Sequence, residues 1–562
     1  MIVARLNSAT ELEELRRDLK SKRDPNQPCI ALCSGSTCTA SERQAIGRAF
    51  QDELKKQGLA LEIAFKRTGC HGFCQQGPLV VIYPEETCYT RVKPEDVPEI
   101  VKSIKGKRIV ERLLYADPVS GQKITRASDI PFYKNQQMLV LGANRRIDPQ
   151  SIEDYLDIGG YSALSKALGN MSPEQVLDEV KKANLRGRGG GGFPAGQKWE
   201  ETKNAPGAIK YVIVNCNEGD PGAFVDGPLL EGNPHSVLEG LIIGAYAIGS
   251  NQGFVYVRHE YTTTIANIER AIKQAQDYGL LGDNILGSGF NFRVKVHRGA
   301  GAYVSGESTA LMSAIEGKVG EPKLKYIHTA VSGIKDRPSN LNNVETWANV
   351  PHIINNGSDW FRSIGTEDSK GTKVFSMVGN INNTGLAEVP MGTTLRQIVY
   401  DIGGGIPKRK KFKAVQTGGP SGGILPEQYL DTPVGFDELD KLGSMLGSGG
   451  MVVMDEDTCM VDTARYFIDF CCEESCGKCI PCREGLRVLR QILIDITEGR
   501  GTEEDLATIE EVAGVMQDAS LCALGKTAIN PVLTSMKYFK DEYVAHVKEK
   551  RCPAKSCKNL KG

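Results

Sequence analysis

The chain has 562 residues, 40% of them hydrophobic, and this length predicts roughly three or four domains with ordinary apolar cores. Its 68 lysines and arginines balance 69 aspartates and glutamates, and a net charge of -1 excludes a strong field that would attract nucleic acid or an anionic membrane. The first residues lack an apolar signal-peptide core, and no apolar run approaches the roughly 20 residues of a membrane helix. We therefore expect a cytoplasmic protein without direct membrane insertion.

The predicted elements begin with a small α/β unit, followed by a larger one. Helices alternating with strands predict a doubly wound α/β domain in the middle of the chain. A β-rich module then precedes a mainly helical region from about residue 439. The predicted strands lie at 29–32, 60–65, 79–83, 211–214, 254–258, 292–296 and 413–417, with a hairpin at 373–392 and helices at 42–57, 98–104 and 393–402.

The 16 cysteines lie almost entirely at the two ends of the chain. In a chain without a secretion signal, this number indicates metal or redox chemistry rather than disulfides. Only Cys216 lies in the glycine-rich middle. The distribution therefore predicts two metal-bearing ends that flank a cysteine-poor centre.

The first cysteine cluster has two spaced pairs, each in a loop that follows a predicted strand. Cys33 and Cys38 are spaced C-x4-C, and Cys70 and Cys74 are spaced C-x3-C. Four thiolates converging from two loops suit a [2Fe–2S] cluster, whose bridging sulfides leave two protein ligands for each iron. Zinc and idle thiols are the alternatives, although structural zinc usually has the shorter C-x2-C spacing. Small neighbours leave backbone N–H groups to donate to cluster sulfurs (Gly35, Ser36, Gly69 and Gly72), and His71 is expected at the surface beside them.

The glycine-rich string RGRGGGGFPAGQKW, which begins at Arg186, is the most specific feature of the middle region. Bare backbone N–H groups of such a loop can approach a phosphate or a flavin ring, and Lys198 adds a cation. The string precedes a strand, so it is not the G-x-G-x-x-G dinucleotide pattern. A flexible loop is the alternative.

The second cysteine cluster lies in the helical C-terminal region. Cys476, Cys479 and Cys482 follow one another in C-x2-C steps, and Cys522 lies farther along the chain. Three ligands in one turn and one distant ligand are typical of a [4Fe–4S] cluster. A four-cysteine zinc site is the alternative.

The tail contains His546, Cys552 and Cys557, with Cys459 as a candidate fourth ligand. Three cysteines and one histidine are an accepted set for a closed structural zinc site. A basic tail with spare thiols is the alternative.

Several of these motifs together resemble the flavoprotein subunit of respiratory complex I and related subunits of NAD(P)-linked hydrogenases and formate dehydrogenases. The motifs are the glycine loop, NCNEGDPGAF from Asn215, GAGAYVSGESTAL from Gly299, LNNVET from Leu341 and the second cysteine cluster. The first cluster resembles a thioredoxin-like [2Fe–2S] ferredoxin, here fused to the flavoprotein. The tail set resembles a zinc site of multimeric hydrogenases.

The resemblance implies a multidomain α/β fold with four parts. They are a thioredoxin-like [2Fe–2S] ferredoxin domain at 1–110, a doubly wound α/β domain binding FMN and NAD(P) at 111–365, a β-grasp module at 366–438 and a helical [4Fe–4S] bundle with a zinc-binding tail at 439–562.

The resemblance also implies the site residues. Those expected to hold FMN are Gly187, Gly189, Lys198, Asn215, Glu218, Tyr303, Glu307, Asn342, Asn343 and Thr346. Those expected near the nucleotide are Phe193, Glu218, Asp220, Ser308, Lys325 and His328, with Phe193 stacked on adenine. Glu218 and Glu307 are the expected catalytic carboxylates.

Four positions depart from the family pattern. Asn217 replaces Asp, Ser305 replaces Cys, Gly227 replaces a basic residue, and Ser308 replaces the second Glu of Gly-Glu-Glu. In the family, that second Glu accepts the ribose hydroxyls of the adenosine and repels a 2′-phosphate. Ser308 therefore favours NADP(H) over NAD(H), whereas Asp220 opposes it.

The function implied is an NAD(P)H/FMN electron-transfer subunit with FMN, [2Fe–2S], [4Fe–4S] and zinc. The expected partners are iron–sulfur subunits and hydrogenase or formate dehydrogenase catalytic subunits, with ferredoxin as a further candidate, and electron bifurcation is compatible with this architecture. The alternatives are a stand-alone diaphorase and a scaffold subunit that has lost nucleotide use.

Overall fold

The computed structural model describes residues 5–36, 40–324 and 326–560, with residues 40 and 41 described by their backbone alone. Its first elements are α1 (Ala9–Ser21), β1 (Cys29–Cys33), α2 (Ala40–Lys56), β2 (Ala64–Thr68), β3 (Val80–Tyr83), β4 (Thr87–Tyr89) and α3 (Val97–Lys105). The strands form one sheet in the order β2-β1-β3-β4, with β1 and β2 parallel. Ile30 and Leu32 of β1 pack against Phe50 of α2 and Ile100 of α3, which gives this unit its own core.

The first helix packs against a different domain from the unit that follows it. Leu12 of α1 is buried in the core of the middle domain, and the Leu6 N–H donates to the Tyr278 carbonyl at 3.0 Å. The sequence groups residues 1–110 together, whereas residues 5–21 lie against the middle domain. The domain boundaries themselves stay a prediction.

The middle domain is an α/β domain with a parallel sheet. Its elements, with the segment that leads into it, are β5 (Tyr115–Ala116), β6 (Lys123–Ile124), α4 (Pro131–Lys134), α5 (Ile152–Asp157), α6 (Ser162–Asn170), α7 (Pro173–Lys182), α8 (Ala195–Asn204), β7 (Tyr211–Cys216), α9 (Asp226–Gly232), α10 (Pro234–Ile248), β8 (Gln252–Arg258), α11 (Thr262–Asp277), β9 (Arg293–Gly299), α12 (Ser308–Ile315), β10 (Ser339–Asn343), α13 (Val344–Asn356) and α14 (Ser358–Arg362).

Alternate residues of β7 enter two separate cores, so the parallel sheet is covered on both faces. Val212 and Val214 pack into the larger core, whereas Ile213 packs with Leu311 of α12. Burial on both faces is the arrangement that parallel sheets require, and it confirms the predicted doubly wound fold. β10 escaped prediction because its sequence, SNLNN, is polar.

The strand order of this sheet, β10-β7-β8-β9, positions the functional site. The chain runs from β7 outward to β8 and β9, then returns to place β10 on the other side of β7. In α/β sheets, ligands bind where the order reverses, at the carboxyl ends of the two strands. The crevice between β7 and β10 is therefore the expected site.

A mixed five-stranded sheet follows. Its elements are β11 (Thr372–Gly379), β12 (Gly385–Pro390), β13 (Phe412–Thr417), β14 (Ile424–Pro426), α15 (Phe436–Asp440) and β15 (Gly450–Asp455). The order is β12-β11-β15-β13-β14, so β15 is the central strand. Because β15 lies beyond the predicted end at residue 438, this sheet extends into the part of the sequence predicted to be mainly helical.

The remaining elements are α16 (Met460–Glu474), α17 (Ile480–Thr497), α18 (Glu503–Ala519), α19 (Ala523–Thr527), α20 (Asn530–Tyr538) and α21 (Lys540–Val544). Ile468 of α16, Leu493 of α17 and Ile509 of α18 share one buried core, as expected for a helical bundle. No helix within the described ranges combines the length and apolar character needed to span a bilayer.

Candidate functional site

A cleft of about 260 Å³ opens in the crevice between the carboxyl ends of β7 and β10. Asp226, Asn343 and five segments of the chain contribute lining residues, and the segments are 189–191, 215–220, 303–307, residues between 418 and 448, and 522–527. The first three belong to the α/β domain, the fourth to the β-rich sheet and the last to the helical bundle. The cleft is therefore completed only where all three regions meet.

Seven of the predicted FMN and nucleotide residues line this cleft, and they are Gly189, Asn215, Glu218, Asp220, Tyr303, Glu307 and Asn343. Seven others are absent from its lining, and they are Gly187, Phe193, Lys198, Ser308, His328, Asn342 and Thr346. Lys325 lies outside the described residues. The sequence missed Asp226, Met445 and Leu524, because α9 and two later regions bring them to the cleft. It also missed Val304, an apolar residue that directly follows Tyr303.

The glycine-rich loop can bring its backbone close to a ligand. Gly190 has a φ of 131°, a conformation that favours glycine, and a Cβ added at Gly191 would meet nothing within 4 Å. Within the described residues, Asn217 Oδ1 is buried without a hydrogen-bond partner. An unpaired buried polar atom costs about 1–3 kcal/mol, so a ligand donor in the cleft would be stabilising. The bare backbone and the orphaned acceptor fit a flavin nucleotide.

Lys198, Asn342 and Thr346 lie behind the lining residues and support them. Lys198 Nζ donates to the Leu341 carbonyl at 2.8 Å and to Asn342 Oδ1 at 3.2 Å. Thr346 Oγ1 accepts a hydrogen bond from the Arg188 N–H at 2.9 Å, which fixes the glycine-rich loop against α13. These contacts hold the end of β10 and the loop together.

The two predicted catalytic carboxylates both accept hydrogen bonds at the start of a helix. Glu218 accepts from the backbone N–H of Val225, of Asp226 at 3.0 Å and of Gly227 at 3.2 Å, at the start of α9. Glu307 accepts from the N–H groups of the second and third residues of α12, at 2.9 and 3.0 Å. Burial raises the pKa of Glu218 despite these donors. The contacts show positioning, and a catalytic role for either residue stays a prediction.

Asp226 is an acidic residue of the cleft that the sequence did not single out as a ligand. Its Oδ2 accepts a hydrogen bond from Asn343 Nδ2 at 2.6 Å. Burial, with a smaller contribution from the charge of Glu218, raises the pKa of Asp226 well above its ordinary value. Asp226 therefore links α9 to the end of β10.

A hydrogen-bond network around Tyr303 joins the three regions at the cleft. Asp220 is bonded to the Tyr303 hydroxyl and to Ser448 Oγ, and burial raises the pKa of Asp220. The Tyr303 N–H donates to Glu474 Oε2 at 2.9 Å, and its ring contacts Phe470 edge-on at 5.2 Å between centroids. Tyr303 is thereby fixed to the β-rich sheet and to α16.

Of the predicted nucleotide residues, Glu218 and Asp220 line the cleft together, whereas Ser308 and His328 contact other partners. Ser308 Oγ donates to Glu307 Oε1 at 3.1 Å, and His328 Nδ1 lies 3.4 Å from Glu201 Oε2. Phe193 is 38% exposed, which leaves its ring accessible for stacking. Across the described part of the chain, no hydrogen bond or ion pair joins Ser308 to His328. Their joint binding of a nucleotide stays a prediction.

The four cysteines of the second cluster line one small cavity. Cys476, Cys479 and Cys482 lie at the start of α17, and Cys522 immediately precedes α19. Val304, Cys522 and Leu524 line both this cavity and the glycine-rich cleft. The two cavities therefore share a wall that is one layer of residues thick.

Three of the four predicted ligands of the first cluster converge at the end of β1. Cys70 Sγ and Cys74 Sγ lie 4.0 Å apart, and the His71 N–H donates to Cys33 Sγ at 3.4 Å. The Gly72 N–H donates to Cys70 Sγ, also at 3.4 Å. Cys38 lies outside the described residues.

Two expectations about the surroundings of this cluster are wrong. His71 is buried rather than at the surface, with its ring 2.7 Å from Thr68 Oγ1, and burial lowers its pKa to about 3. The Ser36 N–H, expected to face a sulfur, instead donates to Glu231 of α9 at 2.8 Å. Both differences arise because this unit packs against the rest of the chain, which spacing along the sequence does not reveal.

The tail residues form a compact ligand set. The candidate ligand atoms of Cys459, His546, Cys552 and Cys557 all lie within 4.8 Å of one another, and Cys459 Sγ is 3.8 Å from Cys557 Sγ. Tetrahedral zinc with Zn–S bonds of about 2.3 Å requires sulfurs about 3.8 Å apart. His546 Nδ1 donates to the Glu542 carbonyl at 2.7 Å, which leaves Nε2 as the ligand atom. The donor set fits structural zinc.

Three family models match successive parts of the chain. The thioredoxin-like [2Fe–2S] ferredoxin matches residues 21–105, the Nuo51 FMN-binding domain matches 180–352, and the iron–sulfur binding region of NADH-ubiquinone oxidoreductase-F matches 462–546. These matches cover the first cluster, the second cluster and every lining segment of the cleft except the residues between 418 and 448.

Curated relatives cover most of the chain. NADP-reducing hydrogenase subunit HndC of Solidesulfovibrio fructosivorans is 52% identical over 74% of this chain and 84% of its own length. The F 2 subunit of NADH-quinone oxidoreductase in Rhizobium meliloti is 47% identical over 72% of this chain and 96% of its own. In an H2-reduced NAD+-reducing [NiFe]-hydrogenase, a chain with 26% identity matches 96% of this chain and 90% of its own, with a TM-score of 0.66.

Proposed function

Because the chain belongs to the flavoprotein family that includes HndC and the F subunits of NADH-quinone oxidoreductase, we propose that it is the NAD(P)H/FMN electron-transfer subunit of a multisubunit oxidoreductase. The hydrogenase or formate dehydrogenase type is favoured. The observation that carries the proposal is the wall shared by the glycine-rich cleft and the four-cysteine cavity. A cluster seated in that cavity is the nearest one-electron site to the cleft.

Bound FMN would exchange two electrons with a nicotinamide nucleotide and single electrons with an iron–sulfur cluster. Gly189–Gly191 would cradle it with bare backbone, and Asn215 and Asn343 would supply amide contacts. Asp220 is hydrogen-bonded to the Tyr303 hydroxyl, and both residues line the cleft. Val304 and Leu524 would present apolar side chains to the FMN on the side that faces the second cluster.

The test uses the whole chain under anaerobic conditions. NADH or NADPH should bleach the flavin and then produce the EPR signal of the reduced [4Fe–4S] cluster. Asn343→Ala should lower the FMN content, whereas Asn356→Ala, at the exposed end of α13, the helix that follows Asn343, should leave it unchanged. A flavin that stays oxidised with both nucleotides would refute the proposal and favour a scaffold role.

The proposed reaction requires partner subunits, because the proposed cofactors only transfer electrons. The site that oxidises or reduces the final substrate would belong to a partner. The names of the relatives point to a hydrogenase or a quinone reductase assembly, and ferredoxin is a further candidate acceptor. Co-purification of intact neighbours separates this proposal from a stand-alone diaphorase. A chain that purifies alone and reduces only dyes would favour the diaphorase.

The preferred nucleotide is proposed to be NADP(H). Ser308 provides a small hydroxyl where the family has a glutamate, and Asp220, the carboxylate that opposes a 2′-phosphate, is already bonded to Ser448 and Tyr303. The relative with 52% identity is named as an NADP-reducing enzyme. Removing a like-charge clash is worth about 1–3 kcal/mol, or roughly tenfold to a hundredfold in affinity.

Comparison of kcat/KM for NADPH and NADH tests this preference. Ser308→Glu should lower the NADPH to NADH ratio by roughly tenfold to a hundredfold. Ser308→Ala, which adds no charge, is the matched control and should change the ratio little. Wild-type preference for NADH, with a ratio that Ser308→Glu does not alter, would contradict the proposal.

A further inference from the structure

A short buried helix, α9, extends from the glycine-rich cleft to the first cysteine cluster. All seven of its residues are buried. At its start, Glu218 accepts the helix N–H groups and Asp226 binds Asn343 at the cleft. At its other end lie Glu231 and Gly232, which face the N-terminal unit.

The end of α9 packs directly against both ligand loops of the first cluster. A Cβ added at Gly69 would lie 2.6 Å from Gly232 Cα, so the two backbones touch. Glu231, 3% exposed, accepts hydrogen bonds from the Ser36 N–H at 2.8 Å and the Ser36 hydroxyl at 2.5 Å. Ser36 lies between Cys33 and Cys38 in the sequence, inside the ligand loop.

The other groups described around the Glu231 carboxylate are a donor and a cation. Thr264 Oγ1 lies 3.5 Å from Oε2, and the Arg43 guanidinium interacts with the carboxylate through its charge. Arg43 also donates to the Ser34 carbonyl in the same loop. Burial raises the pKa of the Glu231 carboxyl, whereas the Ser36 donors and the Arg43 charge oppose that rise. The carboxylate that they hold as an acceptor lies beside the cluster loop.

We propose that Glu231 is a positioning residue for the N-terminal cluster, which fixes its first ligand loop and lowers its reduction potential. Two effects act in the same direction. The Ser36 N–H is committed to Glu231 and so does not donate to a cluster sulfur, a contact that would favour the reduced state. The carboxylate charge also repels the electron that reduction adds. This role rests on Cys33, Cys38, Cys70 and Cys74 as the [2Fe–2S] ligands.

The experiment is a potentiometric titration of the full chain, followed by EPR of the [2Fe–2S] signal. Glu231→Gln keeps the side-chain shape and one acceptor but removes the charge, so the midpoint potential should shift upward. Ser36→Ala removes only the hydroxyl contact and leaves both the N–H contact and the carboxylate charge, so it should shift the potential little. Glu239→Gln, a buried carboxylate of α10 bonded to Tyr155 and to the Tyr161 N–H, is the matched control and should leave this potential unchanged.

A raised potential in Glu231→Gln, or loss of this cluster alone with flavin and [4Fe–4S] retained, supports the role. An unchanged potential with full iron content overturns it. If Glu231→Gln loses all cofactors, Glu231→Asp decides, because its shorter side chain draws the carboxylate away from the Ser36 N–H and should also raise the potential. An unshifted potential in Glu231→Asp with full iron content overturns the role. Wild-type protein without any [2Fe–2S] signal would instead refute the ligand set.

Discussion

The two cysteine-rich ends of the chain are supported in different ways. The loops of the N-terminal cluster are hydrogen-bonded to other regions of the chain. Ser36 binds Glu231 of the α/β domain, and the Leu386 N–H of the β-rich sheet donates to the Gly72 carbonyl at 2.7 Å. The tail set draws its four residues from 459–557, within one helical region and the segments that flank it. Similar ligand chemistry thus depends on the whole fold at one end and on local structure at the other.

The largest expected effect is the loss of a complete cluster. Cys70→Ser should abolish the [2Fe–2S] EPR signal, and Cys479→Ser should abolish the [4Fe–4S] signal, because each removes one of four thiolates. Each variant should retain the other signal. Iron content near zero in wild-type protein after anaerobic reconstitution would refute both cluster assignments.

Removal of the tail zinc comes next. Closed four-ligand zinc contributes folding free energy directly, about 10–16 kcal/mol in zinc-finger peptides. Cys552→Ser should therefore lose zinc by elemental analysis and make the segment after residue 540 more sensitive to limited proteolysis.

The flavin and both cluster signals should survive Cys552→Ser, because the tail set is local. Ser556→Ala, beside Cys552 but outside the ligand set, is the control and should keep its zinc. Fully folded, active wild-type protein without zinc would contradict the proposed site.

A smaller effect concerns the contact between the segment at residues 140–141 and the β-rich sheet. Glu388 accepts from the Val140 and Leu141 N–H groups and from Thr372 Oγ1, and burial raises its pKa to about 7 from an ordinary 4.5. The folded state therefore binds this proton more tightly than the unfolded state. The resulting stabilisation, on the order of 3 kcal/mol, is complete below pH 4.5 and is lost as the pH rises through about 7.

Glu388→Gln should flatten the fall in thermal stability between pH 4.5 and pH 7, because a neutral amide does not titrate. Glu427→Gln, which changes an acidic residue in a short surface turn, should keep the wild-type profile. A pH profile that is the same in Glu388→Gln and in wild type would contradict the buried titration.

The sequence was most informative where function follows spacing along the chain. The C-x2-C steps of Cys476–Cys482 and the tail set of His546, Cys552 and Cys557 are close in sequence and close in space. β10 was missed because it is polar. β15 was missed although its short apolar run, GMVVMD, is a signal for a buried strand, because the residues after 439 read as mainly helical. The far wall of the cleft, near Met445 and Leu524, was missed because tertiary packing alone brings it there.

The shared wall between the cleft and the four-cysteine cavity also bears on biosynthesis. Cys522 and Leu524 are synthesised after the other segments that line the cleft. A nascent chain that has released only its α/β domain presents an open groove to solvent rather than an enclosed site. We therefore expect stable retention of flavin to be a late event in maturation that requires the docked C-terminal bundle.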